Sequence, residues 1–540
     1  MSELVRLIIE VVRTLNTEQR QELSAGSRKQ LVDSTSGTSD SLRLRRCRVG
    51  LILVAASGLW AQEFHPLIPK TWDETKLGAQ ILPLADTPFV PELVPADYYY
   101  RVPERVIYRS YPIYGPGREP AGYLERLLNT EAEVVFDPVK LVTKEDWTRA
   151  GEHVFDAANS YGGATLERNL RDREFLSVTR MPVTKDGVIP YFRYVVTKRG
   201  EIRIGQFGCF TCHTKVLPDG TMVKGAQGDL PHGAMSAWNI RKGRQDPAAL
   251  AVLRQSYYGY GLPWRNTNPI SRVDTMSLDE LAALREAAIP GVQSRSDTSI
   301  FFPPSVPDLF NLQDRKFLDH AGLLRHVVPG DLMRYAALNQ GMHELTSYAG
   351  YIPDVRDNRT RPAPEKFRTT RYSDAQLFAL VQYLYALQPP PNPNRQSAST
   401  RSGEQIFQRE KCASCHPAPL YSNNKLVLAP GFVMPGDHLA RADVLGVSVG
   451  TDPGLATQTL RGTGLYKVPS LRHLWLRGPF EHNGSVMSLE DWFDLARLRE
   501  NYVPTGFRGV GPVRAVRGHE FGLRLKPEEK KALIAFLLTL

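Results

Sequence analysis

Cysteine is scarce in this chain, with five in 540 residues. Four of the five fall in two short stretches. Only Cys47 is left over, which excludes the disulfide framework that braces small secreted domains. Long apolar runs are lacking as well: the stretch from Val49 to Trp60 falls short of the roughly 20 residues a membrane-spanning helix needs. Nor is there a Lys/Arg block of the kind that marks a nucleic-acid footprint. The formal charge of +10 therefore reads as a solvated, mildly basic surface that suits an acidic partner. No Asp/Glu cluster requires calcium.

The two cysteine-bearing stretches are Cys209-Phe210-Thr211-Cys212-His213 and Cys412-Ala413-Ser414-Cys415-His416. Each reads C-x-x-C-H, the attachment signature of a c-type haem. Two thiols a helical turn apart reach the two vinyl groups of one porphyrin, and the adjacent His supplies an imidazole nitrogen to the iron. Structural cysteines near a His could imitate one such match. Two complete matches point instead to two covalently attached haems. Cys209, Cys212, Cys412 and Cys415 are then the attachment residues, with His213 and His416 as axial ligands.

Attachment of this type implies export, to the periplasm or beyond the cell. Arg43, Arg45, Arg46 and Arg48 ahead of Val49–Trp60, with Ala61 as a small cleavage residue, read as a signal peptide that ends a leader over 1–61. Cys47 precedes the apolar core and leaves with it. The polar run Ser24 to Ser41 looks disordered, as it would if translation starts later than Met1.

Residues 62–198 form a Pro- and Tyr-rich N-terminal extension with β-leaning runs at Val106–Tyr108 and Tyr191–Val196 and a helix expected around Glu145 to Ala158. A first haem domain, 199–388, opens with Arg199-Gly200-Glu201-Ile202 leading into its motif as a short helix. It closes on an amphipathic helix begun by a Ser373/Gln376 capping box. Pro389-Pro390-Pro391-Asn392-Pro393-Asn394 opens a linker over 389–400. A second domain, 401–540, repeats the plan from Arg401 and closes on a helix that starts at Pro527. The expected fold is mainly α: two tandem cytochrome c domains behind an irregular N-terminal extension. An insertion between about Gly220 and Arg371 carries the aromatic stretch Tyr257 to Arg265, an ordinary core or turn unless it lines a channel.

The sixth ligands decide the chemistry. A haem closed on both faces transfers electrons, while one with an open face binds peroxide or dioxygen. Downstream of His416 stand Met434, His438, His473, His482, Met487 and His519, and spacing alone makes Met487 attractive. Tyr466-Lys467-Val468-Pro469-Ser470-Leu471-Arg472, then Gly478-Pro479-Phe480-Glu481-His482-Asn483-Gly484-Ser485 and Ser488-Leu489-Glu490, resemble the bacterial di-haem cytochrome c peroxidase superfamily. The resemblance covers both haem motifs and nearly all of Arg401 to Leu540. It places the family's Met ligand at Ala496, which cannot coordinate iron, and makes His482 a structural or haem-proximal residue.

Arg517-Gly518-His519-Glu520-Phe521-Gly522 looks like the G-H-x-F-G segment of a divergent branch that includes the secreted rubber oxygenases. That resemblance implies His519 as sixth ligand of the second haem, with Met487 the alternative. For the first haem, His232 follows the motif closely enough to fold back over it, while His320, His326 and His343 lie unassigned in the insertion. If His232 does not ligate, the first haem is open. The resemblance also allows a calcium ion between the domains.

These readings converge on an exported di-haem oxidoreductase, one haem relaying electrons and the other activating peroxide or dioxygen. Its partners would be a small redox protein, with peroxide or an apolar alkene as substrate. The alternative is a non-catalytic two-haem electron carrier with both irons closed.

Overall fold

The computed structural model describes residues 63–85, 91–242, 251, 253–254, 256–257, 262, 269–294, 298–353, 361–367, 369–509 and 518–540. Residues Phe64–Leu540 cluster as one unit. The leader and Cys47 lie outside the described residues.

Two crossed helix pairs carry the architecture. The first joins α1 (Lys144–Phe155), near the helix expected there, to α4 (Asp374–Ala386). Thr143 and Asp146 close a capping box on α1, and Ser373 and Gln376 close the predicted one on α4, so the leading N–H groups of both helices are satisfied locally. Gly151 brings the two backbones together: a Cβ there would stand 2.0 Å from the Ala379 carbonyl oxygen. Four residues on, Phe155 packs on Tyr383 with centroids 5.4 Å apart at 60°.

The second pair is α5 (Ala398–Arg409) with α6 (Pro527–Leu537), which starts at the predicted Pro527. Its crossing repeats the first nearly atom for atom. A Cβ on Gly403 would stand 2.0 Å from the Ala532 carbonyl oxygen, and Phe407 packs on Phe536 at 5.5 Å and 60°. The sequences correspond too: Thr148-Arg149-Ala150-Gly151-Glu152-His153-Val154-Phe155 is identical to Thr400-Arg401-Ser402-Gly403-Glu404-Gln405-Ile406-Phe407 at five of eight places, with Val154 and Ile406 equivalent in kind at a sixth.

The internal repeat therefore begins at α1, not at Arg199. Glu201–Gln206 is a strand, not the short helix expected before the first motif. It is β4 of a four-stranded antiparallel sheet in the order β1-β3-β4-β2, with β1 Ser110–Tyr114, β2 Ser160–Gly162 and β3 Val188–Lys198. The β-leaning run Tyr191 to Val196 is buried throughout in β3, as aromatic and β-branched side chains favour. Arg199-Gly200 makes the β3–β4 hairpin turn, with Gly200 at φ 82°, a region open to glycine at no steric cost. Val106–Tyr108 forms only an isolated bridge, Tyr108 to Val134. With this sheet and several short two-stranded ribbons, the fold is mixed α and β, which corrects the mainly α expectation.

Between α4 and α5 the proline run adopts no regular element. It is nonetheless tied down: the Asn392 and Asn394 side-chain amides donate to the Leu538 carbonyl, at 2.8 and 3.2 Å, past the end of α6. A further antiparallel ribbon, β5 (Leu426–Leu428) with β6 (Leu465–Lys467), carries Tyr466 and Lys467 to the site described next.

Candidate haem-binding site

The second motif lies directly after α5, in a short 3-10 turn over Cys412–Ser414. Nδ1 of His416 sits 3.1 Å from the Tyr421 carbonyl oxygen. A carbonyl only accepts, so Nδ1 carries the proton and Nε2 the lone pair. The first motif repeats the arrangement, with Nδ1 of His213 3.0 Å from the Pro307 carbonyl oxygen. A backbone acceptor that fixes the tautomer and aims the other nitrogen is the usual support of a metal-ligating His. None of the four described cysteines is in a disulfide, and burial pushes the Cys209 thiol up to about 12 and that of Cys412 up to about 11.

His519 faces His416 across a cavity of about 300 Å³. Their ring centroids are 6.5 Å apart, at an interplanar angle of 57°. Two imidazoles bound to one metal at about 2 Å each would have centroids roughly 6 Å apart, so the pair is spaced to hold an iron between them. Burial, with His416 nearby, holds His519 down at about 3, neutral as a ligand must be, and its buried Nδ1 has no hydrogen-bond partner. Trp492 and Phe521 flank its ring, each 5.2 Å away. Met487 is 46% exposed and is not among the cavity's lining residues.

The rim of the cavity is charged. Arg315, Lys411, Lys467, Arg472 and Arg477 line it against Asp308, Asp314 and Glu481, a surplus of at least two positive charges. Burial alone would raise the Asp308 carboxyl, but Arg477 and Arg315, at 2.8 and 2.7 Å, override it and hold it at about 2. Lys467 is pushed down to about 8 by burial and Glu481 up to about 8. An apolar, aromatic pocket with two opposed imidazoles, two thiols and a doubly cationic rim fits a haem and its two propionates.

The other histidines are otherwise engaged. His482 lines the cavity but stacks on Tyr466, centroids 4.4 Å apart, with Nε2 3.3 Å from its hydroxyl. His326 binds the Arg315 carbonyl through Nδ1 and the Tyr385 hydroxyl through Nε2, both at 2.7 Å. His320 Nε2 lies 2.7 Å from the Ser305 carbonyl, and His473 Nε2 2.7 Å from the Asn311 amide. His438 is buried, and Met434 packs beside Leu426 and Leu465. The His343 side chain lies outside the described residues.

At the first motif, His232 opens α2 (His232–Lys242), and its ring stands 6.4 Å from that of Phe207. Its Nδ1 lies 3.1 Å from Arg285 Nη2, on α3 (Leu278–Glu286). A guanidinium only donates, so Nδ1 is the acceptor and the proton sits on Nε2. This tautomer is opposite to those of His213 and His416. Arg285 also reaches the Ser294 hydroxyl at 3.4 Å, and the neighbouring Gln293 Oε1 lies 3.4 Å from the Cys212 thiol. Of the aromatic stretch, Tyr257 and Leu262 are described and both are buried.

A three-residue segment joins the two sites. The carbonyl of Pro307 holds His213, while Ser305 donates its N–H to the His482 carbonyl at 2.7 Å and its hydroxyl to the Glu481 carbonyl at 2.8 Å. Among the described residues no group of three or more His, Cys, Asp or Glu side chains is arranged to hold a metal ion, calcium included. No helix of the described residues is long and apolar enough to cross a membrane.

Neither the repeat beginning at Thr148 nor the roles of Arg285 and Ser305 emerged from the motif reading. The repeat had a signal, the T-R-x-G-E-x-[VI]-F octet written twice. The other two are contacts between distant segments with no signature of their own.

No protein-family profile and no curated protein matches the chain. Among solved structures it is similar to hydrazine synthase of Kuenenia stuttgartiensis pressurised with xenon, at 16% identity and a TM-score of 0.29 over 54% of this chain and 88% of that one. It is likewise similar to a MauG-like protein associated with microbial copper homeostasis, at 14% identity and 0.29 over the same shares. Likenesses that loose assign neither fold nor activity, and the residues of the two motifs carry the reading that follows.

Proposed function

We propose that this chain is an exported di-haem c-type cytochrome that acts as an oxidoreductase, built from two cytochrome c units, α1–α4 and α5–α6, with the four-stranded sheet largely inserted between α1 and the first motif. The observation that carries the proposal is the pair His416 and His519, opposed across a cavity at the separation of two ligands on one metal. Cys209 and Cys212 would hold one haem and Cys412 and Cys415 the other. A haem supplies an iron that exchanges single electrons and, where its sixth position is open, binds peroxide or dioxygen.

The chain's own groups divide that labour. His416 and His519 close the second site, and Trp492, Phe493 and Leu533 keep water from it. Arg315, Arg472, Arg477 and Lys467 offset the propionates. At the first site His213 is aimed by Pro307, while Arg285 keeps the proton of His232 on Nε2 and so withholds that imidazole as a ligand. A haem held there by Cys209, Cys212 and His213 would then take no ligand from His232 and would remain able to accept an external one, which favours the oxidoreductase over a carrier with both irons closed.

Mass analysis of exported protein should find two covalent haems. The ferric spectrum should show one low-spin and one ligand-accepting centre. Two low-spin centres that bind neither cyanide nor imidazole after full reduction, reoxidation and calcium addition would sink the enzyme reading. Oxidation of a reduced small cytochrome by peroxide, set against oxygen uptake with a polyisoprene emulsion, assigns the co-substrate.

A further inference from the structure

The segment that presents His519 is held by a side chain with no part in the motifs. Arg497 is fully buried, at 0% exposure. Its guanidinium donates to the Gly518 carbonyl at 3.2 Å and to the His519 carbonyl at 3.3 Å, while Nε donates to the Trp492 carbonyl at 2.8 Å. The same guanidinium lies over the Trp492 ring at 5.2 Å, and that ring is one wall of the His519 imidazole. On the other side, the His519 N–H donates to the Val449 carbonyl. Gly518 passes so close to the Val449 segment that a Cβ would stand 1.9 Å from the same oxygen. His519 itself sits at φ 60°, a left-handed conformation that side-chain-bearing residues rarely adopt without outside support.

We infer that Arg497 is a positioning residue, a clamp that holds the Gly518–His519 backbone in its left-handed turn and so sets how readily His519 leaves the second haem. The inference rests on the His416/His519 reading proposed above. The chemistry favours arginine, because one planar fork reaches several fixed carbonyls at once and hydrogen bonds from a charged donor are the strong ones. Lysine gathers its three N–H donors on one nitrogen at the end of a flexible stem and cannot span the same set. Nothing about the clamp requires Arg497 to touch the haem.

The test is carbon monoxide binding to the fully reduced, full-length holoprotein, followed by rapid mixing. An open first haem binds in a fast phase. The second binds in a slow phase, limited by departure of His519. Arg497→Gln should speed the slow phase at least about tenfold, the effect of losing charge-assisted hydrogen bonds to the departing segment, and should raise the ferric high-spin signal. Arg497→Lys, which keeps the buried charge, should fall between the two and serves if the glutamine variant does not fold. In a His519→Ala background both phases are fast, and Arg497→Gln should change neither.

A slow phase left unchanged in a folded Arg497 variant overturns the clamp alone. An equal acceleration in the His519→Ala background shows that Arg497 acts elsewhere and also overturns it. Absence of any slow phase in the wild-type protein overturns the His519 reading, and the clamp with it.

Discussion

Gly403→Ala should destabilise the protein even though it improves a helix. In the middle of an exposed helix, Ala is favoured over Gly by about 1 kcal/mol. At this position the added Cβ would stand 2.0 Å from the Ala532 carbonyl oxygen and 2.7 Å from the Phe536 Cβ, so α5 and α6 must part by about 1 Å. A backbone carbonyl cannot rotate out of the way, which places the cost near the top of the roughly 1–3 kcal/mol usual for overpacking. The packing term wins, and the net loss is about 2 kcal/mol, or roughly 4–8 °C in the melting midpoint of a domain of that size. Gly151→Ala faces the Ala379 carbonyl at the same 2.0 Å and should behave alike. Gly78, in the helix Glu74–Gln80 with nothing within 4 Å of its would-be Cβ, is the control, and Gly78→Ala should hold or raise the midpoint. Melts of the three holoproteins by far-ultraviolet circular dichroism decide the matter. A Gly403→Ala protein that melts at or above wild type would refute the close-crossing argument.

Three further outcomes are expected. His519→Ala should turn the second haem high-spin, while Met487→Ala, at an exposed position, should leave the visible spectrum unchanged. Arg285→Leu should release His232 to ligate the first iron, seen as a gain in ferric low-spin signal and a loss of cyanide binding. The double variant with His232→Ala should restore cyanide binding, and failure to do so counts against the tautomer argument. Asp308→Asn removes a buried carboxylate shared by Arg315 and Arg477 and should cost about 3 kcal/mol at neutral pH. Because the folded carboxyl is depressed to about 2, its contribution is present above the ordinary Asp value of about 4 and fades as pH falls through 2. The wild-type and variant denaturation midpoints should therefore converge in acid.

Much of this was legible in the residues. The two C-x-x-C-H stretches, the Ser373/Gln376 cap and the Pro527 start are local signals, and local signals survive any arrangement of the rest. The first unit was harder because its opening helix and its haem motif are separated by most of a sheet. Arg199–Ile202, just ahead of Cys209, is the turn and first residues of β4, while the counterpart of α5 lies earlier, at Thr148 to Phe155. His519 came into view through a resemblance and not through spacing, since Met487 is nearer and equally plausible on composition. Their placement differs: the His519 ring lies 6.5 Å from that of His416, while Met487 is exposed, which supports the proposed choice of His519. The pairing of His232 with Arg285 depends on how α2 meets α3, which no short pattern encodes.

The segment Ser305–Pro307 has a consequence for how the two sites report on each other. The Pro307 carbonyl grips the His213 imidazole, and two positions back the Ser305 amide and hydroxyl grip the backbone of Glu481 and His482 on the wall of the cavity at the second motif. If His213 ligates an iron as proposed, a stronger pull on that carbonyl would act on the same short span that shapes the cavity at the second motif. Linkage makes such influence mutual: whatever binding at the first site does to the second, binding at the second does to the first in equal measure. Two haems held as proposed would then titrate as a coupled pair, and a titration followed at either one would carry the imprint of its neighbour.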